Sequence, residues 1–400
     1  MNQAFPEKNF NFSDFPPRQH SASMKWRKYA GRDILPMWVA DMDFAVTPCI
    51  QTALEQRLHH PVYGYDLAPP SLTEAIIGAM ARDYGWEIQP DWLVWLPGMV
   101  TGFNLACRAV CQAHDGVFTA TPVYPPFLHA PHLSGGQLVT QPLLPPSPTQ
   151  PRWEWDWNAV STTLRGTEQH PASKLWLLCH PHNPVGRTFS REELHCIGEL
   201  AIQHDMVICS DEIHGGLVLD PATPHIPLAS LSPEIAERTI TLMAASKTWN
   251  IPGLGCAFAI IPNPALRRRY LQAMQGIVPH PNGLGYVATE AAYRDGEPWR
   301  HALLSVLRCN AASVEQRVAT WSGVSMTKVE ATYLAWLNVE GLQLTQPALW
   351  FEQHGVGLSA GVDFGLRQDY AGYLRLNFGC PPTQLHTALD RMEAAIRALG

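Results

Sequence analysis

An α/β fold, with a large, mostly parallel sheet covered by helices and a smaller α+β region after it, is predicted by three observations. Two continuous apolar runs, Leu175–Cys179 and Val207–Cys209, flank a segment of helical spacing. Strands that are apolar throughout need cover on both faces, as parallel strands joined by helical crossovers have. Further apolar runs, at 239–245 and from Cys256 to Ile261, extend the alternation. After about residue 290 the pattern changes to a long helix, two strands and a terminal helix.

Taken in order, residues 1–45 are rich in proline and aromatics and end in ILPMWVADMDF. They are expected to form a segment that joins the smaller domain. Residues 46–290 form the large domain and 291–400 the small one. Pro70 to Tyr84 reads as a helix opened by a Ser71–Glu74 capping box and ended by Gly85. Gly102 to Gln112 is a second helix. Val117 to Ala120 is a short strand that stops at Pro122, and Gly135 to Asp156, rich in Pro and Gln, is strand plus loop. Ser190 caps a helix to His204, with Glu193 at the reciprocal position. In the last part, Trp299 to Trp321 is helical, Ala331–Val339 and Tyr373–Phe378 are strands, and Pro381-Pro382 start a helix over Thr383–Leu399.

Composition narrows the function classes. The 400 residues can bury a sizeable core, and 46% hydrophobic with 16% charged residues describes an ordinary globular chain. A net charge of −7 argues against a nucleic-acid surface, and the triplet Arg267-Arg268-Arg269 is most simply a solvated helix face. No stretch of 18 apolar residues occurs, so no membrane span is expected. The start MNQAFPEKNFNF lacks the basic and apolar regions of a signal peptide. Nine scattered cysteines show no zinc spacing and suit a reducing compartment, so a cytoplasmic protein without a metal is expected.

The candidate chemistry gathers after the strands, where open α/β sheets place their ligands. Lys247 lies at the end of the apolar run TITLMAA, in a chain with only six lysines among its 28 basic residues. A primary amine there can bind an aldehyde cofactor covalently; the alternative is a surface lysine at a strand end. Asp211 ends another apolar strand and can keep a pyridine nitrogen protonated, or can merely cap a helix. Asn183, in NPVG, can donate to a ring oxygen, as can His214, although Asn-Pro is also a common turn pair. Tyr124, in TPVYPPF, is placed to stack on a ring or to pack in the core. Gly98-Met99-Val100-Thr101 precedes a helix whose first N–H groups can hold a phosphate, with the Ser246 hydroxyl beside Lys247. Arg375, on a predicted strand with apolar neighbours, needs an anion: a substrate carboxylate, or an acid across the domain boundary. Together these residues suggest pyridoxal 5'-phosphate.

The series NPVG, SDEIH, SKTWNIPGLG and RLNFG resembles the fold-type I pyridoxal-phosphate enzymes. WVADMDF at 38–44, YGY at 63–65, PVYPPF at 122–127, PHNPVGR at 181–187 and DEIH at 211–214 more specifically resemble the MalY/PatB-like C–S β-lyases, the cystathionine β-lyase group. The resemblance runs from about Lys25-Trp26 to the C-terminus. It implies a large seven-stranded domain plus a small domain, and a homodimer with shared active sites. Carried onto this chain, it makes Lys247 the Schiff-base lysine and base, Tyr124 the stacking and catalytic tyrosine, and Asp211 the pyridine partner. Asn183 and His214 flank the ring oxygen, while Met99, Val100 and Ser246 hold the phosphate with Tyr65 of the neighbouring subunit. Arg375, helped by the backbone at Val39-Ala40, binds the substrate carboxylate. The implied reaction is β-elimination from L-cystathionine or related cysteine S-conjugates to thiol, pyruvate and ammonia.

This sequence departs from the family pattern at His180, Gly215-Gly216 and Pro252, and His180 and Pro252 are expected close to the cofactor. Two other readings keep the same scaffold: a class I/II aminotransferase, and a regulatory or binding protein.

Overall fold

The apolar runs fold into one seven-stranded sheet in the computed structural model, which describes residues 10–14 and 16–399. The first nine residues of the expected N-terminal segment lie outside the described residues. The strands are β1 (Leu93–Leu96), β2 (Gly116–Thr121), β3 (Gln137–Pro142), β4 (Ser173–Cys179), β5 (Val207–Asp211), β6 (Thr239–Met243) and β7 (Ala257–Ile260). Their spatial order is β1-β7-β6-β5-β4-β2-β3. β2 to β6 pair in parallel, and β7 runs against both its neighbours, β6 and β1. The apolar run at 257–260 says that both faces are covered and nothing about direction, so this reversal is not readable from it.

Alternate residues of β4 serve opposite layers. Leu175 and Leu177 pack with Phe103 and Phe127 on one face, while Trp176 and Leu178 pack with Trp155 and Phe189 on the other. Helix α1 (Pro70–Tyr84) ends at Gly85, whose φ of +62° is the left-handed cap expected there. Its start differs from expectation. Pro70 takes the first helical position, so Ser71 lies inside the first turn and no side chain caps the end. Helix α2 (Met99–Val110) begins three residues earlier than the sequence suggests, which brings its start to the sheet edge. In α3 (Arg191–Gln203) the capping box forms: Ser190 N donates to Glu193 at 2.7 Å and Glu193 N to Ser190 Oγ at 3.2 Å.

The C-terminal region carries a second sheet of β8 (Ser325–Met326), β9 (Leu334–Asn338), β10 (Ser359–Ala360) and β11 (Tyr373–Asn377), in the order β10-β11-β9-β8. Helices α4 (Glu297–Val318) and α5 (Pro382–Arg397) contribute to its core. The N-terminal segment is stitched to this region by pairing of Leu35–Pro36 with Val356–Gly357.

A buried ionic cluster secures the same seam. Fully buried Asp43 accepts from Lys25 Nζ at 2.8 Å, Arg18 Nη1 at 2.5 Å, Trp26 Nε1 at 3.0 Å and Gln384 Nε2 at 3.0 Å. Burial pushes this carboxyl upward, but the Lys25 charge, with the Trp26 and Arg18 bonds, holds it below the usual carboxylate range. A depressed folded-state pKa stabilises the fold above the unfolded value and is lost as pH falls through the folded one. Asp43→Ala leaves buried Lys25 with only Asp41, whose carbonyl lies at 3.1 Å and Oδ1 at 3.8 Å, and is expected to cost about 3 kcal/mol at neutral pH. In urea unfolding, the gap to wild type should narrow below about pH 4.

Candidate active site

Five strands end at one edge of the sheet, and each delivers a polar or flexible group there. β1 leads into Pro97-Gly98 and α2, β2 into Tyr124, β4 into Asn183, β5 into Asp211 and His214, and β6 into Ser246 and Lys247. Register fixes the neighbours: Cys179 pairs with Asp211, and Asp211 with Leu242. Together with Ala40 from the N-terminal segment and Arg375 from β11, these residues line a cavity of about 260 Å³. Every expected site residue lines it except Tyr65, which is fully exposed.

Lys247 Nζ donates to the Ala40 carbonyl at 2.5 Å. Its surroundings pull its pKa down to about 8, burial first and the Arg375 charge second, against Asp41 and Asp211. The amine is thus neutral above about that pH and able to attack an aldehyde. In the cofactor-free protein, aldehyde uptake at Lys247 should accelerate with pH and level off above about 8, a rate followed by absorbance.

Asp211 is held by one hydrogen bond, from Ile213 N at 3.2 Å, and burial raises its pKa to about 7. A carboxylate so placed favours a cationic N–H opposite it. The adjacent acid plays no part in the cavity. Glu212 turns to the other side, where it takes hydrogen bonds from Ser210 Oγ, Leu228 N and His225 Nε2. His214 is neutral, since burial and then Lys247 and Arg375 push its pKa down to about 3.

The cavity fits a pyridoxal phosphate group by its unsatisfied polar atoms. His214 Nδ1 and Arg375 Nε are buried without hydrogen-bond partners among the described residues. α2 opens at Gly98 with no side-chain cap, and Met99 and Val100 line the cavity, so free helix-terminal N–H groups meet the Ser246 side. Gly255 comes close to this cradle in a left-handed conformation (φ +55°), where a Cβ would lie 3.2 Å from Pro97 O. Asn183 Oδ1 accepts from Arg375 Nη1 at 3.0 Å, which leaves the Asn183 amide N–H groups free to donate.

Among the described residues, Arg375 has no carboxylate as a hydrogen-bond partner. Its other contacts are Trp38 O at 2.9 Å, Ser359 Oγ at 3.4 Å and the Phe364 ring at 4.8 Å. The inter-domain salt bridge is therefore not its role here. A buried cation with spare donors matches a carboxylate.

One expectation about the sequence departures is corrected. Pro252 lines the cavity, but His180 does not: it is fully buried behind it, with Nε2 on Ile226 O and its ring against His225 and Phe189. Gly215 and Gly216 are required by close packing, since Cβ atoms there would fall 2.8 Å from His225 and 2.6 Å from Thr248. The sequence reading missed Tyr333, Asn250 and Asn377. Their signal was absent because each works through a contact more than 200 residues away.

Residues 33–392 match the family described as aminotransferase class I and II. Cystathionine beta-lyase PatB of Bacillus subtilis (strain 168) is 35% identical, over 96% of this chain and all of its own. Among solved structures, OvoB is 46% identical with a TM-score of 0.91, covering 97% of this chain and 99% of its own. The pyridoxal-phosphate-bound C–S lyase from Staphylococcus hominis is 28% identical with a TM-score of 0.87, covering 97% and 98%.

Proposed function

The chain belongs to the aminotransferase class I and II family, and on that premise we propose a pyridoxal 5'-phosphate-dependent carbon–sulfur β-lyase. Its substrate is L-cystathionine or a related cysteine S-conjugate, and its products are a thiol, pyruvate and ammonia. One observation carries this reading: a primary amine, a buried carboxylate and a buried cation without an acid partner face one cavity. The likeness to PatB and to the S. hominis C–S lyase supports elimination over amino transfer.

When bound, the cofactor supplies the electron sink that makes the Cα–H bond of an amino acid acidic. The α2 N–H groups of Met99 and Val100 and the Ser246 hydroxyl would hold its phosphate. Asp211 would keep the proton on the ring nitrogen, Asn183 and His214 would donate to the ring oxygen, and Tyr124 would offer the ring an aromatic face. Arg375 grips the substrate carboxylate beside the Ala40 backbone and so fixes which Cα bond stands toward Lys247. Lys247 Nζ would then take the Cα proton and the thiolate would leave from Cβ, and the aminoacrylate left behind would take up one water to give pyruvate and ammonia. The panel test is thiol release from cysteine S-conjugates without a keto acid. Release supports the lyase, whereas turnover only with a keto acid would favour the aminotransferase.

The assembly is a homodimer in this reading. Leu58, Val62, Tyr63, Tyr65 and Leu67 form an exposed apolar stretch suited to a second copy, where Tyr65 would reach the phosphate of the neighbouring site. Analytical ultracentrifugation checks the stoichiometry. Nine free cysteines suit a cytoplasmic location. Among the described residues, no helix is long and apolar enough to cross a membrane.

A further inference from the structure

The loop at 38–42 presents a row of carbonyls, and their partners differ in kind. Trp38 O is held by Arg375 and Ser359, Val39 O by Asn377 and Asp41 N, Asp41 O by Asn377 and Lys25, which lies outside the cavity, and Met42 O by Asn250 and Arg18. Ala40 O is bound to the reacting amine itself, Lys247 Nζ, at 2.5 Å. It has a second donor: the hydroxyl of Tyr333, at 3.0 Å.

Tyr333 reaches this oxygen from the residue just before β9, in the other sheet. It is 1% exposed, its ring stands edge-on to His214 with centroids 6.2 Å apart, and its own carbonyl accepts from Phe378 N. The preceding residue, Thr332, has φ +77°, a strained conformation for a β-branched side chain. That strain is held by Thr332 N on Leu217 O at 2.9 Å and Leu334 N on Thr332 Oγ1 at 3.1 Å. The backbone is thus forced into an unfavourable turn at the position that delivers the hydroxyl.

We propose that Tyr333 is a positioning residue for Lys247, holding the Ala40 carbonyl so that the amine can leave it and return. Lys247 would move off Ala40 O to bind an aldehyde and again to take a Cα proton. Without a second donor, each departure would orphan a buried carbonyl. With Tyr333 in place the oxygen stays satisfied, and the two donors divide its pull, which weakens its hold on a charged amine. The charges facing Lys247 are Arg375 from β11, Asp41 from the N-terminal segment and Asp211 from β5, with neutral His214 beside it.

This inference rests on Lys247 being the residue that carries the cofactor. Its test reads the amine directly, by labelling Lys247 in the cofactor-free protein with acetic anhydride across pH and quantifying by mass spectrometry. Tyr333→Phe gives the amine sole use of Ala40 O, so its pKa should rise by about one unit, a ten-fold loss of labelling near neutrality. In the loaded enzyme, kcat should fall about ten-fold with KM within two-fold. Incorporating 3-fluorotyrosine at 333, a stronger donor of nearly the same shape, should shift the labelling profile the opposite way and carries the test if the phenylalanine variant does not fold. Labelling profiles unmoved by either change would make Tyr333 a packing residue and overturn the proposal. Borohydride reduction and peptide mapping of the loaded wild type separate the failures. No cofactor adduct on Lys247 overturns the function reading and this inference with it; an adduct with unmoved profiles overturns this inference alone.

Discussion

Lys247→Ala should reduce pyruvate formation by on the order of 10⁴-fold or more, because the substitution removes two functions from one atom. Lys247 is the sole primary amine among the residues that line the cavity. Losing a positioned general base alone accounts for about 10²–10⁴ in rate, and losing the covalent link to the cofactor adds to it. Arginine at the same position should not rescue the activity, since a guanidinium neither attacks an aldehyde nor gives up its proton near neutrality. The fold should survive. Its amine is a desolvated group held by one carbonyl, so alanine should leave the cofactor-free protein as stable as wild type or slightly more so. The check pairs a pyruvate assay with thermal unfolding of both cofactor-free proteins.

Arg375→Ala should lower kcat/KM by about 10²–10³. Two charge-assisted bonds to a carboxylate are worth roughly 3–4 kcal/mol, and that sum corresponds to this range. Arg375 is fixed for the task on several sides: Asn183 and Trp38 O bind its two terminal nitrogens, and the Phe364 ring lies against it. Lysine at 375 should recover little, because a point charge cannot reproduce a planar fork. Steady-state kinetics on one S-conjugate would decide it. A loss under three-fold would mean that the substrate carboxylate binds elsewhere.

Much of the site was legible because its residues follow strands that announce themselves. β4, β5 and β6 are continuous apolar runs, and the polar residue after each falls at the sheet edge by the geometry of parallel strands. The Ser190–Glu193 box was legible for a similar reason, being a local four-residue motif. Where local reading failed, a longer-range term decided. Ser71–Glu74 has the same spacing as a capping box, but Pro70 occupies the first helical turn and moves the boundary. His180 follows a strand like the others, yet it turns away to pack on His225 and Phe189. The Asp43 cluster joins residues from Arg18 to Gln384, and no window of sequence contains it. Tyr333 is the sharpest case. Nothing in ATYLAW marks a partner for a carbonyl at Ala40, and the strained turn at Thr332 is visible only in the backbone.

The most direct measurement of the central claim is pyruvate and thiol released together from L-cystathionine and other cysteine S-conjugates by purified, cofactor-loaded protein, with no keto acid present. Equal amounts of the two products are expected from at least one conjugate, with neither formed by Lys247→Ala. A loaded protein that releases neither from any conjugate, but turns over an amino donor once a keto acid is added, would contradict that claim.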